Sequence, residues 1–233
     1  MNRRDLFATC AAAFGLAGCW RRTYKWNQKV TVVVDTPEGE RSGSAVSEIA
    51  VIVGRLPMSG NILDGWGRGE STVVDLPDGK LLLATLIGAS WEGNASTIVE
   101  RIFAKNIFYD GKMSEEDFLN VKFSKLSKIR GKVQLSGRTL PLLVTFADMS
   151  DPNTLRVVKP DNLAAAFGPG YALKSVMLEL TDEPQTAYRL PQLMNWRHDE
   201  KKRHAFVVRA LSAGVPPGAA NFVEGIFFTG HEE

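Results

Sequence analysis

The sequence predicts an α+β fold in which antiparallel β-hairpins form a sheet or sandwich, with two or three helices packed against it. Two apolar, β-branched segments each turn back at a tripeptide that favours tight turns, Pro37-Glu38-Gly39 and Pro77-Asp78-Gly79. The middle of the chain carries apolar residues at helical spacing instead. No fixed-period repeat or linker divides residues 29–233, so we expect a single domain there.

The strands follow from runs of Val, Ile, Leu and aromatic residues bounded by turn formers. In chain order, the predicted strands are residues 30–34, 45–53, 71–74, 81–87, 132–135, 140–146, 171–180, 206–210 and 222–228. Residues 59–69 are polar and rich in glycine, which predicts a loop between the two hairpins.

Three helices are predicted between and after the hairpins. Residues 94–108 carry Ile98 and Ile102 at helical spacing, with Asn94 as the N-cap. Ser114, followed by three acidic residues, predicts the start of a second helix that ends near Gly131. A short third helix is expected over residues 160–167, with proline at its first turn.

The N-terminus has the layout of a bacterial export signal. Arg3 and Arg4 precede an apolar run, residues 6–18. That run as a helix is about 20 Å long, too short for a hydrocarbon core of about 30 Å. Leu16-Ala17-Gly18-Cys19 resembles the lipobox of bacterial lipoproteins. The resemblance implies diacylglycerol on Cys19, cleavage before it and acylation, for example with palmitate, of the new N-terminus.

The export route has two interpretations. The segment around Arg3 and Arg4 is similar to the twin-arginine motif, which would carry the protein across the inner membrane already folded. The alternative is an ordinary Sec signal that begins with two arginines. A third interpretation keeps the first residues as a core helix of a cytosolic protein, but the small residues at 11–13 pack poorly and nothing caps such a helix.

The predicted organisation is therefore a signal peptide, residues 1–18, a membrane-proximal tether, residues 19–28, and the domain, residues 29–233. Aromatic and cationic residues in the tether suit a lipid headgroup layer, which predicts that it lies along the membrane. Alternatively, Tyr24 and Trp26 already belong to a strand and face the core, because period-two alternation continues into Val30. Trp20 stands where lipoproteins retained in the inner membrane carry Asp, which implies outer-membrane delivery by resemblance.

Composition limits the function classes. The chain has 233 residues, 28 Lys and Arg against 26 Asp and Glu, and a formal net charge of +2, so no broad cationic face for nucleic acid is expected. Cys10 would be removed with the signal peptide, and the thiol of Cys19 would become a thioether. The mature domain would then have no disulfide, no cysteine metal site and no cysteine nucleophile.

No catalytic set and no metal or cofactor site is predicted. His198, Asp199, Glu200 and His204 lie close together in sequence but lack the His-Glu-x-x-His spacing of zinc sites, and residues 201–203 make a solvated charge run the better interpretation. His231 lies near the chain end. Two serine-bearing clusters, Ser42-Gly43-Ser44 and Gly88-Ala89-Ser90, do not match Gly-x-Ser-x-Gly and are expected at strand edges or bulges.

Gly65-Trp66-Gly67-Arg68-Gly69 lacks the Lys-Ser/Thr that completes a phosphate-binding loop, so it is interpreted as a flexible connector. Its Trp66 and Arg68 are nevertheless candidate binding residues, because exposed aromatic and guanidinium groups are common anchors at interfaces.

Residues 140–184, from Leu-Pro-Leu-Leu-Val-Thr-Phe-Ala-Asp to Glu-Leu-Thr-Asp-Glu-Pro, resemble a family of bacterial proteins of unknown function. The resemblance implies no activity. The sequence as a whole predicts a non-catalytic, lipid-anchored envelope protein that faces the periplasm and contacts an envelope protein or a ligand. The alternatives are an envelope hydrolase and a cytosolic structural protein. A deep polar pocket at His198 or His204 would favour the hydrolase, and a flat surface around Trp66 would favour binding.

Overall fold

The computed structural model describes residues 21–56, 60–88, 95–215, 217 and 226–229. The predicted signal recognition residues and the lipid-attachment site, Cys19, lie outside the described residues, as does His231. In the described part of the chain, no helix has both the length and the apolar composition needed to cross a bilayer.

Two antiparallel sheets and several helices make up the fold, which confirms the predicted α+β class. One sheet has six strands in the order β10-β3-β2-β1-β9-β6, and the other has four in the order β4-β5-β7-β8. The strands are β1 (Arg21–Thr36), β2 (Gly39–Leu56), β3 (Gly60–Glu70), β4 (Thr72–Asp75), β5 (Leu81–Gly88), β6 (Gly131–Gln134), β7 (Pro141–Phe146), β8 (Leu155–Val158), β9 (Ala172–Thr181) and β10 (Phe228–Thr229). The α-helices are α1 (Ala95–Phe103), α2 (Glu115–Leu126), α3 (Ala164–Phe167), α4 (Leu190–Leu193) and α5 (Glu200–Ser212).

Both predicted hairpins are present, as β1–β2 and β4–β5. The first is longer than predicted, because β1 begins at Arg21 rather than near Val30. Trp26 is buried and Lys25 is exposed, so the alternation already reflects a strand with one face in the core. Of the two interpretations of this segment, the one that places Tyr24 and Trp26 in a strand is confirmed.

The four-stranded sheet is the middle layer of the molecule. In β5, Leu82 and Ala84 belong to the core shared with the six-stranded sheet, whereas Leu83 belongs to a second core shared with α5. All six residues of β7 are buried. A sheet covered on both faces explains why β7 reads as a continuous apolar run rather than as an alternation.

The two sheets approach each other closely where β4 crosses β2. A Cβ atom at Gly43 would overlap the carbonyl oxygen of Val73. Only a residue without a side chain allows the main chains to come this close. Ser42-Gly43-Ser44 thus lies inside β2, and its glycine serves packing between the sheets.

Two predicted strands are wrong or incomplete, and two strands, β3 and β8, were not predicted. Residues 206–210 lie in α5, which Asp199 caps by accepting hydrogen bonds from the Lys201 and Lys202 amides. Phe206 and Ala210 are buried four residues apart, which is helical spacing. Of residues 222–228, only 228 lies in a described strand, 226–227 are helical, and 222–225 lie outside the described residues. Leu155–Val158 (β8) is an additional strand at the edge of the smaller sheet.

Candidate functional site

The glycine-rich segment predicted as a loop is strand β3, and the expected flexible connector at its centre is therefore wrong. Gly67 pairs with Ile49 of β2, and Gly65 pairs with Val51. Main-chain hydrogen bonds to β2 hold the segment extended although it offers few side chains for packing. The alternation of glycine with Trp66 and Arg68 has the period of a strand.

From Gly65 to Gly69, the alternating glycines leave one face of β3 without side chains. Paired residues lie on the same face of a sheet, so Gly65 and Gly67 share the inner face with Val51 and Ile49. Gly69 continues the series, and a Cβ there would overlap the side chain of Ser47. At this end of the sheet, bare main chain replaces the side chains that normally fill the space below a strand.

A cavity of about 430 Å³ lies against this bare face. Its volume is within the range of sites for small organic ligands. The apolar side chains of its wall come from both sheets and from α2: Ile49, Val51, Leu63, Leu86 and Phe123. The remaining residues of the wall are Gln28, Ser47, Ala50, Asp64, Gly65, Trp66, Gly67, Glu100 and Thr229.

The polar residues of the sheet wall form one row across four strands. Gln28 of β1 pairs with Ser47 of β2, Ser47 lies against Gly69 of β3, and Gly69 pairs with Thr229 of β10. The next row, Trp26, Ile49 and Gly67, has no polar side chain apart from the indole. The cavity therefore has a polar side and an apolar side. These three residues, Gln28, Ser47 and Thr229, are called the polar row.

Gln28 is the most unusual member of the polar row. Its side chain is 2% exposed, and its Oε1 atom has no hydrogen-bond partner among the described residues. It also lines a second, smaller space beside Leu86. A buried acceptor without a partner costs free energy, and such atoms in folded proteins commonly mark a place where a ligand or water binds.

The charged groups of the wall are acidic. Glu100 of α1 and Asp64 of β3 line the cavity, and no Lys or Arg belongs to the described part of its wall. The Glu100 Oε2 atom lies 2.6 Å from the Nζ atom of Lys122, and both side chains are largely buried. Asp64 accepts a hydrogen bond from the Gly65 amide. The ion pair with Lys122 lowers the cost of burying Glu100.

The position of β10 depends on contacts around the buried Glu70, at the end of β3. Its Oε2 atom accepts hydrogen bonds of 2.8 Å from the amides of Arg189 and Leu190. The Tyr188 hydroxyl donates to the carbonyl oxygen of Thr229. These contacts hold the chain that precedes α4 against β3 and β10, and so fix Thr229 in the cavity wall.

Trp66 and Arg68, the candidates predicted from sequence, occupy alternate positions to the glycines and so lie on the outer face of β3. The Trp66 ring has the Lys25 Nζ atom 4.8 Å from its centroid and the Arg68 guanidinium 5.2 Å away. Trp66 is 37% exposed and also borders the cavity. The two candidates therefore lie in the strand that borders the cavity, but the space itself is left by Gly65 and Gly67.

The structure does not bring the histidine cluster to a cavity. His198 and His204 are exposed, and neither lines the cavity against β3, the smaller space beside Leu86 or a third one beside Tyr24. Residues 201–203 are exposed in α5, and Asp199 and Glu200 belong to the start of that helix. Among the described residues, no group of three or more His, Cys, Asp and Glu side chains could hold a metal ion.

Sequence reasoning missed Gln28 and Ser47. The available signal was a glutamine at an inward position of β1, two residues from Trp26 and two from Val30. Such a position is expected to be apolar, so a polar residue there indicates a special role.

Comparison of the chain with protein-family models, with curated proteins and with solved structures finds no match. The resemblances noted for the N-terminus and for residues 140–184 therefore stay predictions.

Proposed function

We propose that this chain is a lipid-anchored protein of the cell envelope whose α+β domain binds a small, mainly apolar molecule in the cavity below β3. The observation that carries the binding role is the volume opened by Gly65 and Gly67 beside apolar walls from both sheets. Concave, mostly apolar cavities with a few polar groups are typical of ligand sites.

The envelope location rests on the sequence. The apolar run 6–18 and Leu16-Ala17-Gly18-Cys19 support export and acylation of Cys19, with the domain on the periplasmic side. By resemblance, Trp20 favours the outer membrane over the inner one. Membrane lipid is then a partner through the modified Cys19.

Labelling with radioactive palmitate tests the anchor. The wild-type protein should incorporate the label, and Cys19→Ala should remain an uncleaved, unlabelled precursor. Equal labelling of both proteins would contradict the anchor. In the same cells, replacement of Arg3 and Arg4 by lysines should block export only if the twin-arginine route is used.

A fluorescent probe tests the binding role. N-phenyl-1-naphthylamine is neutral, largely apolar and small enough for about 430 Å³, and it becomes bright in apolar surroundings. Titration into the purified full-length protein should give saturable binding. Gly67→Val should weaken it at least about tenfold, because the new side chain occupies the cavity next to Ile49 and Thr229.

Arg68→Val is the matched control, because it places the same side chain one residue further along β3 but on the outer face. It should bind the probe like the wild type. Circular dichroism spectra and melting curves verify that both variants are folded, since a Cβ at Gly67 would lie 3.3 Å from the Thr229 Oγ1 atom and needs only a small adjustment. Loss of binding in Arg68→Val with retention in Gly67→Val would instead assign binding to the outer face of β3.

A further inference from the structure

The amphiphilic division of the cavity specifies the chemistry of its ligand. The polar row, Gln28, Ser47 and Thr229, lies at one side, and Ile49 and Val51 lie in the next rows beside bare main chain. A ligand that is apolar throughout would leave the Gln28 Oε1 atom without a partner. A ligand that is polar throughout would lose its hydration against the apolar wall.

The buried amide of Gln28 specifies the polar end of the ligand. Its Oε1 atom is an acceptor without a partner among the described residues, at a side chain that is 98% removed from solvent. An O–H or N–H donor placed there completes a hydrogen bond that the protein itself leaves unmade. Ser47, which pairs with Gln28 and can both donate and accept, lies beside the same position.

The charges of the wall argue against an anionic ligand. Asp64 and Glu100 are the charged residues in the described part of the wall, and Lys122, outside it, is already paired with Glu100. A carboxylate or phosphate in the cavity would lose its hydration and find no lysine or arginine in the described part of the wall to pair with. A full positive charge would lose its hydration, and Glu100, paired with Lys122, offers it little in return.

We infer that the cavity takes a neutral amphiphile, an alkyl or aryl body that ends in a hydroxyl or amide N–H, with this donor bound to the Gln28 Oε1 atom. The inference rests on the proposed binding role and names the ligand class for the same cavity.

Two structural isomers test the role of the donor directly. Octan-1-ol and 1-methoxyheptane have the same atoms and similar apolar bodies, but only the alcohol can donate a hydrogen bond. Isothermal titration calorimetry with the purified full-length protein should show octan-1-ol binding about tenfold more tightly than the ether, as expected for one buried hydrogen bond. Octanoate should bind more weakly than the alcohol.

Gln28→Met is the informative variant, because methionine keeps the length of the side chain and removes the acceptor. In this variant the alcohol and the ether should bind with equal affinity. Equal affinity of the isomers for the wild-type protein would overturn the inference while leaving the proposed binding role intact. Tighter binding of octanoate would also overturn it. If neither isomer binds and N-phenyl-1-naphthylamine does not bind either, both the inference and the proposed function fail.

Discussion

The amide of Gln28 stands where the hydrophobic pattern of β1 calls for an apolar residue. Its neighbours on the same face, Trp26 and Val30, pack into the core between the sheets. An acceptor without a partner in such a place destabilises the ligand-free protein by about 1–3 kcal/mol. A position that lowers stability without serving the fold is typical of a functional residue.

We therefore expect Gln28→Met to raise the free energy of unfolding of the ligand-free protein by about 1 kcal/mol, because it removes the unpaired acceptor and keeps the volume. Urea unfolding measures the change. Gln134→Met in β6 is the control, since Gln134 is exposed, and should change stability by less than about 0.5 kcal/mol. A marked loss of stability in Gln28→Met alone would mean that the amide has a structural partner.

The ion pair between Asp75 and Arg189 links β4 to the segment that precedes α4. The guanidinium lies 2.7 and 2.8 Å from the two carboxylate oxygens. The hydrogen bonds from Arg189, together with its charge, lower the pKa of Asp75 below its ordinary value. Because the pKa is lower in the folded state, the pair stabilises the protein above the unfolded pKa of about 3.9, and this stabilisation is lost as the pH falls further.

Asp75→Asn should accordingly lower stability at pH 7 by less than about 1 kcal/mol, because the pair is largely exposed and screened by solvent. The difference between wild type and variant should shrink toward zero as the pH falls below about 4. Urea unfolding at pH 7 and at pH 3 checks both values. A difference that grows toward low pH would contradict the assignment.

Among the elements, β3 was the hardest to predict. Glycine has a low strand propensity, and three of the five residues 65–69 are glycine. Local sequence therefore predicts a loop, although Trp66 and Arg68 follow the two-residue period of a strand. The strand forms because β2 is long enough to pair with it along its length. That pairing is a tertiary contact, which propensity and turn signals do not contain.

Helix α5 was misassigned for a different reason. Residues 206–210 combine Phe, Val and Ala, a composition that suits strands, and the charged residues before them hid the helical period. In the structure, Phe206 and Ala210 form a buried stripe against Trp196 and Phe227. By contrast, the start of α2 was predictable, because Ser114 accepts a hydrogen bond from the Asp117 amide, as the capping pattern indicates.

Phe206→Ala should lower the free energy of unfolding by about 3–5 kcal/mol, because it opens a cavity among Trp196, Phe227 and the smaller sheet. Val208→Ala, two residues along the same helix and 54% exposed, should change it by less than about 0.5 kcal/mol. Chemical unfolding of the two variants side by side makes the comparison. Similar losses in both would show that α5 does not pack as described.

At the scale of the whole molecule, the two sheets depend on one close crossing. A methyl group at Gly43 meets the main-chain carbonyl of Val73, which cannot rotate away as a side chain would. Gly43→Ala should therefore cost at least about 2 kcal/mol and lower the melting temperature, because the sheets must separate to admit it. Ser44→Ala, exposed on the neighbouring position of β2, should melt like the wild type. Unchanged melting of Gly43→Ala would show that the crossing is loose.

The sequence predicted the fold class and both hairpins because turn formers and alternation are local signals, at Pro37-Glu38-Gly39 and Pro77-Asp78-Gly79. It did not predict the layering or the cavity. Both depend on which residues face each other across strands distant in sequence, as when Gln28 meets Ser47. Trp66 and Arg68 stand out in the sequence because their side chains can form contacts, whereas Gly65 and Gly67 matter because they have no side chain.

The absence of a side chain at position 67 contributes to the capacity of the cavity. A graded series there, alanine, then valine, then leucine, would fill the space beside Ile49 and Thr229 step by step. The longest alkyl chain that the cavity accepts should become shorter in the same order. The preference for a hydrogen-bond donor at the Gln28 amide should stay the same across the series.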